Sequence, residues 1–359
     1  MGYKKFLIYL LASTLIFSGL YSFLIYQIDP LGYYHLKKES HYYSVNGRYQ
    51  LPAFIKNLDY DTIFIGPSMS QNFNETLIDR KLNVKSFNAA LSASSAKEQS
   101  YIYQLANATH KNLKNVYWDL DFDSLHGDLD RVNEESGTFP TYLYNTYPLD
   151  DFKYLFSYYA GEIYFDRLEA KKQNQPLRTP YNVYKFGFGI PAMTTEKYKE
   201  TQTKKNNNPV PKEVSFQKMK DNFDVNILPA IKQHPEQAFT LYYTPYPITY
   251  HIFNYNRSQQ AFIDRLKMKE YIYNQVKDLK NVVIHDFQAE SKITFNVTNY
   301  MDGSHYFMDT NDWMVKQFAS QNYVQTAETL RANNEKLLAQ VENFLVKQLA
   351  STKDEKETF

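Results

Sequence analysis

The sequence predicts an α/β fold, a parallel sheet with helices on both faces, behind one N-terminal membrane-spanning helix. Three observations lead there. Short apolar runs alternate with amphipathic stretches of helical length, the pattern of strand–helix units in a parallel sheet. Phe6 to Ile28 carries no charge and is long enough for a hydrocarbon core that takes about 20 apolar residues to cross. The whole chain of 359 residues is 43% hydrophobic and 22% charged, which excludes both a disordered chain and a polytopic membrane protein.

The elements follow in order. Lys4 and Lys5 precede the apolar segment and place the short N-terminal side in the cytoplasm, with the rest of the chain outside. The segment ends in Tyr26-Gln27-Ile28-Asp29-Pro30, unlike the small-residue cleavage site of a signal peptide, so residues 1–30 read as a retained anchor. Residues 31–58 are Tyr-rich and mixed, a juxtamembrane stem. The α/β domain occupies 59–350. Its strands are Thr62–Ile65, Val84–Asn88, Val116–Leu120, Phe239–Tyr243 and Val282–Asp286. Helices are expected near Asn72–Arg80, Ala96–Ala108 and Ser258–Asp278. Leu337, Leu338, Val341, Phe344, Leu345 and Leu349 recur at helical spacing, and residues 351–359 read as a disordered tail. The block from about 125 to 237 interrupts the alternation and reads as an insertion, with Lys204–Pro211 an exposed loop. It either shapes the carboxyl edge of the sheet, where α/β proteins bind ligands, or is a plain structural elaboration.

Composition narrows the function. Lys and Arg number 40 against 39 Asp and Glu, so no electrostatic footprint for nucleic acid is present. With 0 Cys there are no disulfides, thiolate zinc sites or cysteine nucleophiles. With only 11 Gly and no phosphate-binding glycine loop, no nucleotide cofactor is expected, nor any other. His126, His251 and His285 lack metal-type spacing and read as ordinary surface or core histidines.

Two short segments carry chemistry. Gly66-Pro67-Ser68-Met69 follows the first strand, which sets Ser68 at a strand tip facing the cleft, with Ser70 the better candidate for a helix cap. Near the end of the chain, Asp302 stands three residues before His305. At that spacing the carboxylate can accept from the imidazole Nδ1–H, which leaves Nε2 free to take a proton from a serine. The alternative is a strand-end cap and a surface pair, both common.

Together these segments resemble the SGNH hydrolase superfamily, whose fold is a flavodoxin-like parallel sheet. Gly66-Pro67-Ser68-Met69 is similar to its first block and Asp302-Gly303-Ser304-His305 to its last. The stretch Phe87 to Ser95 falls where the family carries its second block. The resemblance is nearest to the membrane-anchored branch that modifies cell-envelope polymers, proteins similar to those of alginate O-acetylation and teichoic-acid D-alanylation. Asp29-Pro30-Leu31-Gly32 matches the stem of that branch.

The resemblance implies a serine esterase or acyltransferase on acyl or acetyl esters of envelope glycans. Ser68 would be nucleophile, His305 base and Asp302 its orienting partner. The Ser68 and Ala93 N–H groups would form the oxyanion hole, with Ala93 in place of the family's glycine. An alanine N–H serves there provided the backbone does not require a positive φ. A transferase would need a membrane partner delivering the acyl group. The family's third-block Asn is missing, and the third strand ends Trp118-Asp119-Leu120-Asp121. An ionised Asp121 near an oxyanion would repel it, so it orients a neighbour, stays protonated, contacts a substrate amine or hydroxyl, or caps the turn. Asn88, Tyr243 and Tyr246 are candidate substrate contacts at the same edge, the tyrosines through stacking on sugar faces; the alternative for the rings is the core. The competing class is a non-catalytic binding or assembly component with a weakened oxyanion hole.

Overall fold

The computed structural model describes residues 2–134, 138–194, 196–197 and 214–354, with side chains as far as residue 344. The expected loop Lys204–Pro211 and residues 355–359 lie outside these. The elements begin with α1 (Tyr3–Ile28), α2 (Gly47–Asn57), β1 (Thr62–Ile65), α3 (Glu75–Leu82) and β2 (Ser86–Asn88). Next come α4 (Ala96–Thr109), β3 (Asn115–Asp119), α5 (Phe122–Leu125), α6 (Phe152–Leu155) and α7 (Tyr158–Lys172). Then follow α8 (Phe216–Asn226), α9 (Leu228–Gln233), β4 (Ala238–Tyr243), α10 (Ile248–Arg257) and α11 (Gln259–Val276). The chain closes with β5 (Val282–Asp286), α12 (Ser291–Thr294), α13 (Met308–Ala319) and α14 (Ala327–Asp354).

Two compact units are present. One comprises residues 60–100, 112–133 and 186–359 and holds a five-stranded sheet. All its strand pairs are parallel and the order is β2-β1-β3-β4-β5, the flavodoxin-type arrangement. The strand order reverses beside β1, so the chain leaving β1 emerges where such sheets bind ligands. All four β1 residues are buried, because both faces of a parallel sheet are covered. On one face Phe64 stacks on Tyr117 with centroids 4.4 Å apart, and Phe73, Tyr242 and Phe318 close over them. On the other, the Trp118 indole N–H donates to Gln99 Oε1 at 2.7 Å. Leu337 and Val341 of α14 are buried in the first of these cores, as their spacing requires.

Burial also sets an acid limit. His251 on α10 is buried, and burial together with Arg265 and Lys269 pushes its pKa down from 6.5 to about 3. The unfolded chain therefore takes up this proton at a higher pH than the folded chain, and stability falls as pH falls through that window. Asp121, pushed up to about 6 by burial and by Asp123, acts in the opposite sense as pH rises through its own range. Thermal melts of a His251→Gln variant are expected to lose less stability on acidification from 6.5 than wild type.

The second unit comprises residues 1–59, 101–111 and 134–185. Its helix α1 is long and apolar enough to cross a membrane. Asp29 ends α1 in the left-handed conformation, φ 43°, with its N–H donating to Ile25 O. Its carboxylate then accepts from the Tyr33, Tyr34 and His35 N–H groups and from the Tyr154 hydroxyl. Gln50 of α2 donates to Leu31 O at 2.6 Å and Asn57 to Tyr33 O at 3.1 Å. Residues 31–58 are thus tied to the end of α1 by a hydrogen-bond network.

Candidate active site

The turn after β1 is built around Gly66. A Cβ there would lie 2.7 Å from both Asp119 Cβ and Ser70 Oγ, so only glycine lets the chain pass β3 this closely. Ser68–Ser70 forms one 3-10 turn, and Asn311 of α13 donates to Met69 O at 3.1 Å. Gly66→Ala is expected to cost about 1–3 kcal/mol, the range for overpacking a filled site, in a denaturant titration.

Ser70 is not the helix cap its sequence position suggests. Its hydroxyl donates to Asp119 Oδ2 at 2.9 Å and lies 2.9 Å from the Tyr242 hydroxyl, fully buried. Burial, with Asp121 nearby, raises the Asp119 pKa well above the carboxylate range. The cap of α3 is Asn74, which accepts from Leu77 N–H.

Ser68 Oγ lies 2.9 Å from His305 Nε2 across a separation of 237 residues. His305 Nδ1 lies 2.8 Å from Asp302 Oδ2. The other oxygen, Asp302 Oδ1, accepts from the Ser304 N–H at 2.8 Å and the His305 N–H at 2.7 Å. Partial burial opposes ionisation of Asp302, but these bonds from the His305 ring, His305 N–H and Ser304 N–H outweigh it and hold its pKa at about 2. An acceptor at Nδ1 fixes the proton there and leaves the Nε2 lone pair toward the serine. The loop bearing them is closed by Met301 N–H to His305 O and Phe307 N–H to Asn299 O, both 2.9 Å. Phe186 meets the imidazole edge-to-face, centroids 5.4 Å apart, and is itself held by its N–H donating to Asn72 Oδ1 at 2.9 Å.

The turn Leu91–Ser94 is pinned to Gly66, whose carbonyl accepts from Leu91 N–H at 2.9 Å and Ser94 Oγ at 3.2 Å. Ser94 N–H closes the turn onto Leu91 O. Ala93, its third residue, has φ 50°. The condition set on alanine at this position, a backbone without a positive φ, is not met: Ala93 adopts the left-handed, glycine-type conformation. Neither the Ser68 nor the Ala93 N–H makes a hydrogen bond among the described residues. Left-handed backbone costs an L-residue about 1–2 kcal/mol, while glycine's extra freedom when unfolded costs about 0.4–1. Ala93→Gly is thus expected to leave the melting temperature unchanged or slightly raised, and Ala93→Val to lower it.

No family model matches the sequence. No curated protein matches it either. Among solved structures the chain is similar to the C-terminal catalytic domain of Streptococcus pneumoniae peptidoglycan O-acetyltransferase A with a methylsulfonyl adduct. The identity is 13%, over 72% of this chain and 88% of that one, with a TM-score of 0.28.

The remaining expected site residues go elsewhere. Asp121 caps α5, accepting from Ser124 N–H on Oδ2 and from the Tyr246 hydroxyl on Oδ1. Asn88 donates to Ser70 O and Gln71 O and accepts from Ala90 N–H, so it braces the serine turn. Tyr243 is fully buried, stacked on Phe122 with Lys269 over its ring, and Tyr246 is stacked on Tyr250. Neither presents a face to a sugar, a correction that follows from their position inside the sheet's packing. A cavity of about 520 Å³ lies beyond β3 and β4, lined in part by Asp123, Arg131, Arg257 and Arg265; none of Ser68, Ala93, Asp302 and His305 lines it. Among the described residues no three His, Asp or Glu side chains group as a metal site.

Proposed function

We propose that this chain is a serine acyl-transferring enzyme working on acyl or acetyl esters of a cell-envelope glycan. The observation that carries the reading is the Ser68–His305–Asp302 relay. Ser68 Oγ attacks the ester carbonyl while His305 Nε2 takes its proton. The Ser68 and Ala93 N–H groups hold the oxyanion, and His305 returns the proton to the departing alkoxide. Asp302 keeps the ring oriented and stabilises the imidazolium. The acyl-enzyme is then resolved by water or by a sugar hydroxyl, deprotonated by the same His305. The resemblance of Gly66–Met69 and Asp302–His305 to SGNH hydrolases supports the assignment, and the 2-1-3-4-5 strand order agrees with it. In this reading α1 crosses the cytoplasmic membrane with Lys4 and Lys5 inside, and the sheet unit works outside. The glycan class and a membrane partner that delivers the acyl group rest on the resemblance alone.

A second, non-catalytic reading is favoured by one observation: in place of a third oxyanion donor, the β3 end carries Asp119 and Asp121, both turned to internal partners. A serine-directed organophosphonate separates the two. The catalytic reading expects one adduct per wild-type chain and none on Ser68→Ala. No labelling of wild type supports the non-catalytic reading, and equal labelling of both removes Ser68 as the nucleophile.

A further inference from the structure

The structure leaves an apolar face uncovered beside α1. On α7, Tyr158, Gly161, Phe165 and Leu168 follow one another at helical spacing and form one stripe. A different face of the helix carries the buried Ala160, Ile163 and Ala170, and a third carries the exposed Glu162, Asp166 and Glu169. Phe152 and Phe156, at the start and just past the end of α6, are two further exposed rings shortly before α7 in the chain. These five side chains are between 45% and 78% exposed, and among the described residues the one cation over them is the Lys153 ammonium, 5.9 Å from the Phe152 ring centroid. Water is a poor solvent for such a surface, at about 25 cal/mol per Å² of apolar area. A contiguous patch of large apolar groups marks an interaction face.

The stripe is fixed to the membrane-length helix. The Tyr21 hydroxyl donates to Ser157 O at 2.9 Å, and a Cβ on Gly161 would lie 3.4 Å from that hydroxyl. Tyr21 stands seven residues before the end of α1 at Ile28, which at 1.5 Å per residue is about 10 Å along the axis. If α1 crosses the bilayer, the start of α7 therefore lies within it rather than above it. At such a depth a polar group turned toward the hydrocarbon needs a protein partner, and the Tyr21–Ser157 bond supplies one. Phenylalanine and leucine on one face of a helix suit one lying in the membrane interface, and tyrosine is enriched at that level.

We propose that α6 and α7 form a shelf inserted in the outer leaflet, its occupant being the lipid of the bilayer that α1 spans. The inference rests on the membrane reading of α1 and is independent of the Ser68 chemistry. The shelf gives the anchored unit a second point of hold on the membrane, which fixes its tilt where a lone helix would leave it free to swing.

The absence of native cysteine allows a direct test in the full-length chain. Single cysteines at Phe156, Phe165, Asp166 and Leu15 are labelled with an environment-sensitive fluorophore, and each protein is placed in phospholipid nanodiscs. Lipids with brominated acyl chains are expected to quench the probes at Phe156 and Phe165 as they quench Leu15 on α1, while Asp166, on the charged face, is quenched by aqueous iodide. If Leu15 is quenched by lipid but Phe156 and Phe165 by iodide, the shelf is overturned and the span stands. If Leu15 itself is not quenched by lipid, the membrane reading fails and the shelf with it. Probes at Phe156 and Phe165 protected from both quenchers would mean that protein covers this face, and would also overturn the proposal.

Discussion

Replacing Ser68 by alanine is expected to lower turnover of an activated acetate ester by about 10⁴–10⁶-fold, with the fold intact. The hydroxyl is the only group in the relay that can form the acyl bond. Among the described residues the Ser68 side chain makes no hydrogen bond other than that to His305, while its carbonyl still accepts from Gln71 N–H in the variant. His305→Ala is expected to cost a similar factor, because an undeprotonated serine is a poor nucleophile at neutral pH. The double variant should be no worse than either single one, since each removes the same step. Initial rates of the three variants check this. Losses that multiply would mean that the two residues act independently and not as a relay.

Asp302→Asn is the second large effect, about 10⁴-fold in kcat. Asp302 Oδ1 accepts two backbone N–H bonds, from Ser304 and His305, and an asparagine oxygen can keep both. Its amide then turns toward His305 Nδ1, where the carboxylate Oδ2 now sits at 2.8 Å. A donor facing Nδ1 requires that nitrogen to be the acceptor, so the ring proton moves to Nε2 and the lone pair facing Ser68 is lost. The chain folds and binds as before, with KM little changed and kcat down. Equal losses in melting temperature and in rate would instead make Asp302 a loop-bracing residue.

Much of the sheet was legible because each strand is a short apolar run bounded by polar or turn residues. Thr62–Ile65 and Val282–Asp286 match their expected limits, and the other strands shift by only one or two residues. The Ser68 and Asp302–His305 segments were legible because each concentrates its chemistry within four residues. What escaped was non-local. Phe186, Asn72 and Asn311 position the serine turn and the imidazole across separations of 114 to 242 residues, and no local pattern announces them. Ala93 escaped for a different reason. Glycine signals a left-handed residue, whereas alanine gives no sign that its backbone has φ 50°.

The sequence holds 33 Tyr in 359 residues, and at Tyr243 and Tyr246 it leaves two uses open, sugar contact and core. Tyr242, Tyr243, Tyr300 and Tyr306 are buried around the sheet, while Tyr33 and Tyr154 are buried in the other unit. In a chain with 0 Cys and only 11 Gly these rings are large, rigid packing units whose hydroxyls can tie distant segments together, as Tyr154 does to Asp29 and Tyr246 to Asp121. Hydropathy patterning alone cannot separate that use from ligand stacking.

The most direct test of the central claim is to look for the covalent intermediate. Full-length protein is mixed with an activated acetyl ester, quenched in acid within the first turnover, digested, and its peptides weighed. The relay predicts an acetyl group on Ser68 in wild type and none on that peptide in His305→Ala. Turnover of the ester by wild type with no acetyl on Ser68, or with the acetyl on another residue, would contradict it.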